Sequence, residues 1–407
     1  SPLPSQRSGA KRIRSNLSDD DKLLDVLQNI INPPSLRTKK TVDKQEESNR
    51  VVKVMNNDSK HDHLEYVELD CSFEKLEDLL QLYEFMDSIK NEHMLNEQNV
   101  FTFADGEYHD YYLFHDKKYG VNFSKLENIR VPLLKLINIV GMSELKAKML
   151  DIIASRLCPG YVDPEPLHTL IMGNPGLGKT KVCKIMVSIY CGLGLADKKK
   201  VVYAKRSQLV GKHLGHTAPQ TQTMIDSAID GILIIDEAYA LGDEDSKDTF
   251  SKECINTIVQ NMSENKKKFI IIMIGYEDTI KQNLFNSNPG LESRFTTDTR
   301  FVINDYTATE LADIYWNNIL KHNFVLCDAT EMQVKNLLKE NFNLFPGFGR
   351  SVKDYFNNCK KVHFKSLLGK NPVKARHTLS FKTLQICMKT FKLTNGNNDR
   401  IFQSIYQ

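Results

Sequence analysis

One segment near the middle of the chain has the residue types and spacing for phosphate chemistry. Gly173, Asn174, Pro175, Gly176, Leu177, Gly178, Lys179 and Thr180 spell GNPGLGKT, which fits G-x-x-x-x-G-K-[ST]. An apolar run precedes it and a helical pattern follows, the context such a loop requires. Gly173, Gly176 and Gly178 let the backbone turn its N–H groups toward phosphate oxygens, and the helix behind adds the positive end of its dipole. Lys179 is expected to reach the β- and γ-phosphates of ATP, and Thr180 to ligate Mg²⁺. Further along, GILIIDEAYAL brings Asp236 and Glu237 to the end of a buried apolar run. In a parallel sheet that places both carboxylates at the strand's C-terminal edge beside the loop. Asp236 would then hold the Mg²⁺ shell and Glu237 would polarise an attacking water, a Walker A and Walker B pairing suited to phosphoryl transfer.

Such a site needs a parallel α/β sheet to carry it. Strands are expected at 168–172, 201–204, 232–235, 269–274 and 301–303, and helices at 142–156, 179–191, 219–228 and 250–262, with residues 307 onward reading as helices. The chain is therefore read as a polar arm over 1–60 with a short amphipathic helix at Leu23 to Ile31, and a helical, aromatic-rich region over 61–130. A large α/β domain over 131–305 and a helical lid over 306–407 follow. In the second region, Leu76, Leu79, Leu80, Tyr83, Met86 and Ile89 mark an amphipathic helix, and the aromatic stretch 101–120 suits a hairpin or packed loop.

Composition excludes several classes. Charged residues are 26% and hydrophobic ones 41%, the usage of a globular intracellular protein, and no apolar run is long enough to span a bilayer. The net charge of +3 is too small to argue for nucleic acid. The eight cysteines form no CxxC pair, so they read as reduced thiols, with Cys183 and Cys254 as small buried hydrophobes. His61 and His63 stand in a polar arm without nearby cysteines and do not make a metal site. The KRIR run at 11–14 is too short to decide between a docking patch and a nuclear address, so the expected compartment is the cytoplasm with the nucleus left open.

The ordered motifs VGMSELKAKM (140–149), GNPGLGKT, LVGKHLGHTAPQT (209–221), GILIIDEAYAL, IIIMIGYED (270–278) and NPGLESRF (288–295) resemble the CbbX-type (CbxX/CfqX) AAA+ proteins over about residues 133–365. The resemblance implies a P-loop AAA+ module with a five-stranded parallel sheet and a helical lid, assembled as a hexameric ring with ATP between subunits. It further implies that Val140 and Gly141 border the nucleotide and that Arg294 completes a neighbour's pocket. Arg350 in FGRSVKDYF is similar to the sensor 2 arginine of the lid. Glu292 stands where many relatives carry a second arginine, and Gly275-Tyr276 occupies the sensor 1 position. His213, Leu214 and Gly215 match the central pore loop, with histidine where an aromatic grip is usual. The acidic second loop, 242–253, either lines the channel or is a solvated charge run.

Three functions remain open on these residues. The first is an ATP-driven ring that remodels a protein client recruited through residues 1–130. The second is a nucleic-acid-acting AAA+ protein. The third is a scaffold that binds nucleotide and turns over slowly.

Overall fold

The computed structural model describes residues 64–69, 71–92, 111–114, 117–161, 166–242, 248–264, 269–369 and 376–405. The KRIR run, the helix expected at Leu23 to Ile31, His61, His63, residues 101–110 of the aromatic stretch and residues 243–247 of the acidic loop lie outside these residues. The chain divides at Tyr66 and Val67 into two units, and the description below concerns the second.

Five strands form one parallel sheet: β1 (Thr169–Gly173), β2 (Val201–Ala204), β3 (Ile232–Ile235), β4 (Ile270–Gly275) and β5 (Arg300–Ile303). Their order across the sheet is β2-β3-β4-β1-β5. The three inner strands are buried along their whole length. This is why they read as continuous apolar runs rather than as alternating patterns, since helices cover both faces of a parallel sheet. Successive side chains point to opposite faces. Ile171, Ile234 and Ile272 join one apolar cluster, while Leu170, Leu233 and Ile271 join the other.

The first cluster is covered by α2 (Phe123–Ile137), α3 (Ser143–Leu157) and α4 (Lys179–Gly192), the second by α5 (Thr217–Asp226) and α6 (Thr249–Glu264). Ahead of these, a 3₁₀ turn at Leu76–Leu79 leads into α1 (Leu80–Glu92). Here Leu76, Leu79, Tyr83, Met86 and Ile89 are buried as the spacing predicts, whereas Leu80 is half-buried and Leu82 takes its place in the core. A hairpin does follow, pairing Tyr112 with Tyr119 and Phe114 with Lys117.

Helix α2 departs from the sequence expectation, because it runs across residue 130, where a boundary between regions is read. Pro132 stands in its interior. A proline inside a helix forfeits a hydrogen bond and costs about 3 kcal/mol, so it reads as a break. Leu126, Ile129, Leu133 and Leu136 around it are fully buried, and that burial offsets the cost. The buried residues of α1 and α2 share one cluster with Ile171 and Val182, so this segment packs as part of the sheet-bearing body.

Beyond β5 the chain forms α7 (Ala308–Lys321), α8 (Glu331–Glu340), α9 (Phe348–Ser366) and α10 (Phe381–Ile405). A short parallel pair, Val325–Leu326 with Thr378–Leu379, interrupts them. Capping boxes start two of these helices: Thr307 with Glu310 for α7, and Thr330 with Gln333 for α8. Aromatics hold the bundle together, with Tyr315 5.2 Å from Tyr355 and 5.9 Å from Phe356 between ring centroids. No described helix is long and apolar enough to cross a membrane.

At the opposite edge of the sheet from the phosphate loop, His168 is buried just before β1, and its Nδ1 accepts the Ile271 N–H at 3.2 Å. Burial, and then the positive charge of Arg294, push its pKa down to about 4. Below pH 6.5 the unfolded chain therefore takes up a proton that the native ring refuses until about pH 4. Stability from this group is full above pH 6.5 and falls as pH drops through that window, by about 2 kcal/mol between pH 7 and 5. His168→Asn keeps an acceptor for Ile271 and removes the titration. Urea unfolding at both pH values should show a shallower loss in the variant, and equal losses would rule this source out.

Candidate nucleotide site

The parallel register brings the carboxyl ends of the inner strands within a few residues of one another. Met172 lies opposite Gly275, Gly173 opposite Ile303, and Ile235 opposite Met273. Residues that follow these positions therefore converge: the loop from Gly173, the pair Asp236-Glu237, Tyr276, and Asp305. This is the crevice outside strand carboxyl ends where parallel α/β sheets bind ligands.

The loop has the backbone that its glycines predict. Gly173, Gly176 and Gly178 adopt φ of 148°, 82° and 89°, which residues with a side chain rarely do. Gly178 is the N-cap of α4, so the helix's free N–H groups open onto the loop. Leu177 is fully buried and anchors the loop from below. The Asn174 side-chain amide donates to Asp305 Oδ1 at 2.8 Å, and Tyr306 donates its hydroxyl to Leu177 O at 3.0 Å. Burial, reinforced by Glu310, pushes the Tyr306 phenol up to about 12, so it stays a donor at neutral pH. A cleft of about 310 Å³ opens beside the loop, lined in part by Asn174, Tyr276 and Asp305.

The Lys179 ammonium donates to Gly173 O at 2.7 Å and Asn174 O at 2.8 Å, within the loop itself. Burial lowers its pKa, Asp236 opposes that shift, and Arg350 adds to it. The Thr180 hydroxyl donates to Asp236 Oδ2 at 3.1 Å. Two oxygens bound side by side to one octahedral Mg²⁺ stand about 2.9 Å apart, given Mg–O distances of about 2.1 Å, so this pair fits a shared ion. No cluster of three or more His, Cys, Asp or Glu suited to a metal occurs among the described residues.

Glu237 departs from the ordinary backbone. Its φ and ψ of 57° and 42° are left-handed, and its N–H is bonded to Asp236 Oδ1 at 3.0 Å. A non-glycine residue held there is strained, and such strain concentrates at sites where a side chain must be aimed. Both carboxylates are exposed to the crevice.

The lid reaches the loop directly. A Cβ on Gly176 would lie 2.0 Å from Gly347 O and 3.5 Å from Arg350 Cβ. Arg350, in the first turn of α9, therefore stands beside the phosphate loop. Gly141, at φ 70°, is closed in by Glu310 and Tyr306, so Val140-Gly141 borders the same hinge that carries Tyr306.

Arg294 is not in this crevice. It donates to Ser263 Oγ at 2.7 Å, beside His168, at the amino edge of the sheet, and its buried Nε has no partner among the described residues. Glu292 is occupied within the chain, since Arg300 donates to its carboxylate at 2.9 Å and to its carbonyl at 2.7 Å. His213, Leu214 and Gly215 are also remote, on an exposed loop between β2 and α5. The base of that loop is fixed: the Gly211 N–H donates to Thr217 Oγ1 at 3.1 Å and Thr221 donates to Leu209 O at 2.8 Å. Leu214, 84% exposed, stands at its tip. In the acidic loop Asp248 accepts from Arg206 and from the Phe250 and Ser251 N–H groups, which makes it a start signal for α6. Cys183 and Cys254 are buried thiols, pushed up to about 12 and about 11 mainly by burial, and remote from nucleophilic use.

Sequence reading missed Asp305, Tyr306, Gly347 and Ser263. Each acts on a partner far along the chain, so no local spacing announces it.

The AAA model, described as ATPase family associated with various cellular activities, matches residues 169–299, from the start of β1 to the turn before β5. A cfxQ-like protein of Acanthamoeba polyphaga mimivirus is 33% identical over 325 residues, 77% of each chain. Stage V sporulation protein K of Bacillus subtilis is 34% identical over 242 residues, 58% of this chain and 72% of its own length. The plasmid-encoded protein CbxX of Cupriavidus necator is 36% identical over 183 residues, 43% of this chain and 57% of its own. With a third of its residues shared across three quarters of the mimivirus protein and the AAA model lying on the strands that carry the crevice, this chain belongs to the CbxX-like AAA ATPases.

Proposed function

We propose that the chain is a subunit of an ATP-hydrolysing ring, hexameric in the family's manner, that remodels a protein client through its central pore. The observation that carries this reading is the meeting of Thr180 and Asp236 at 3.1 Å beside Lys179, under a lid helix that touches the same loop. Phosphoryl transfer asks mainly for positioning and charge stabilisation, and these groups supply both. The N–H groups of the loop and Lys179 bind the β- and γ-phosphates. Thr180 and Asp236 hold Mg²⁺, which neutralises charge on the phosphate oxygens when bound. Glu237, aimed by its left-handed backbone, orients the attacking water. Arg350 reads the nucleotide from the lid and Val140-Gly141 flanks it at the hinge.

Arg294 acts on a neighbouring subunit's nucleotide in this reading. Its place at the sheet's far edge agrees with a role outside its own pocket, and leaving Ser263 for a γ-phosphate gives its guanidinium a charged partner. The loop of His213, Leu214 and Gly215 grips the client, with an exposed leucine at its tip and a hydrogen-bonded base that transmits force. Residues 1–130 recruit that client.

Glu237→Gln should lower ATP turnover by about 100-fold or more while nucleotide affinity stays within a few-fold, as measured by phosphate release and calorimetry. Arg294→Ala should lower turnover by about 1,000-fold without weakening binding to the isolated subunit. Turnover near background in the unmodified protein, and insensitive to either change, would favour a nucleotide-dependent scaffold instead.

The pore reading is tested separately. The Glu237→Gln ring with ATP should retain a client that the same ring carrying Leu214→Ser releases, while assembly, followed by light scattering, is unchanged. Equal retention by both rings would remove the loop from client binding.

A further inference from the structure

We propose that Tyr276 is a positioning residue for the ATPase reaction: its ring face holds the ammonium of Lys179 in the phosphate loop. This rests on the reading of Lys179 as the phosphate-binding lysine.

Lys179 opens α4 directly after the loop, and its ammonium carries three donors. Gly173 O and Asn174 O accept two hydrogen bonds. A further side is faced by Tyr276, whose ring centroid lies 4.6 Å from Nζ, within the range of a cation–π attraction. The placement follows from the sheet. Tyr276 is the first residue after β4, β4 pairs with β1, and Gly275 lies opposite Met172, so the ring arrives beside the start of the loop.

The ring is itself held. Tyr239 stacks on Tyr276 with centroids 5.0 Å apart and planes 22° from parallel. Tyr239 belongs to the turn that carries Glu237, so the lysine and the Walker B turn are braced through two rings. Gly275 leaves the room this needs, since a Cβ there would meet Ile280 at 2.8 Å and Tyr239 Cδ1 at 3.3 Å.

An uncharged holder has a chemical advantage at this point. A carboxylate at 276 would bind the ammonium more tightly, but it would also repel the γ-phosphate and compete for the lysine. A π face attracts the cation and brings no net charge. Burial and the positive charge of Arg350 both disfavour the ammonium, against the attraction of Asp236, and the π face adds to that attraction without a net charge.

Tyr276→Leu removes the π face and keeps an apolar side chain, and Tyr276→Phe keeps the face without the hydroxyl. In the Leu variant kcat/KM for ATP should fall on the order of tenfold, with ATP and ADP affinities both reduced. AMP affinity, read by competition with a fluorescent nucleotide, should not change, because AMP offers no β-phosphate to Lys179. The Phe variant should stay within about twofold of the unmodified protein. An unimpaired Leu variant, an equal loss of AMP binding, or a Phe variant as impaired as the Leu one would each overturn the proposal. Lys179→Met separates the two levels: if it abolishes turnover while Tyr276→Leu does nothing, Tyr276 is not the holder and the phosphate loop stands. If Lys179→Met leaves turnover intact, the reading of the loop falls and the proposal with it.

Discussion

The site depends on the register of a parallel sheet. Because β1, β3 and β4 run the same way, with Met172 opposite Gly275 and Ile235 opposite Met273, their carboxyl ends finish within a few residues of one another. Everything chemical in the crevice is one or a few residues past such an end. A slip of one residue would turn every side chain of a strand to the other face and carry its terminal residue away from the row. Both faces of these inner strands are apolar and buried, so the register is held by the close packing of each cluster against its own side chains rather than by a polar face.

On this row, the loop and the lid share contacts that link nucleotide to conformation. Gly176 touches Gly347 with no space for a side chain between them, and Tyr306, at the start of the lid, is tied to Leu177 O. A phosphate that draws the loop's N–H groups toward itself therefore acts on backbone that two lid elements already contact. The bundle behind these contacts is packed around aromatic rings, Tyr315 with Tyr355 and Phe356 among them.

The amino edge of the sheet carries a different arrangement. Arg300 clamps the turn at Glu292 to Phe295 through three donors, which fixes the segment leading to Arg294. Where relatives are expected to have a second arginine, this chain has invested Glu292 in that internal clamp. Among the described residues Arg294 has a buried Nε without a partner and one hydrogen bond, to Ser263, a weakly committed guanidinium at a rigid turn.

By itself the sequence determined the parts of this protein that are local. GNPGLGKT requires left-handed glycines and a helix behind them, and both are present; the apolar run at 232–235 coincides with β3, because a fully buried strand has no polar face to blur its limits. Asp236 and Glu237 were legible for the same reason, as the first polar residues after such a run. Helix α2 was not, since the recognisable motifs begin only beyond it and the burial that offsets Pro132 in its interior comes from partners elsewhere in the chain. Tertiary structure alone decided which side chains meet: Asn174 with Asp305, Lys179 with Tyr276, Arg294 with Ser263. Their separations along the chain exceed any helical or strand period, so the pairing is set by sheet order and register, which no single segment encodes.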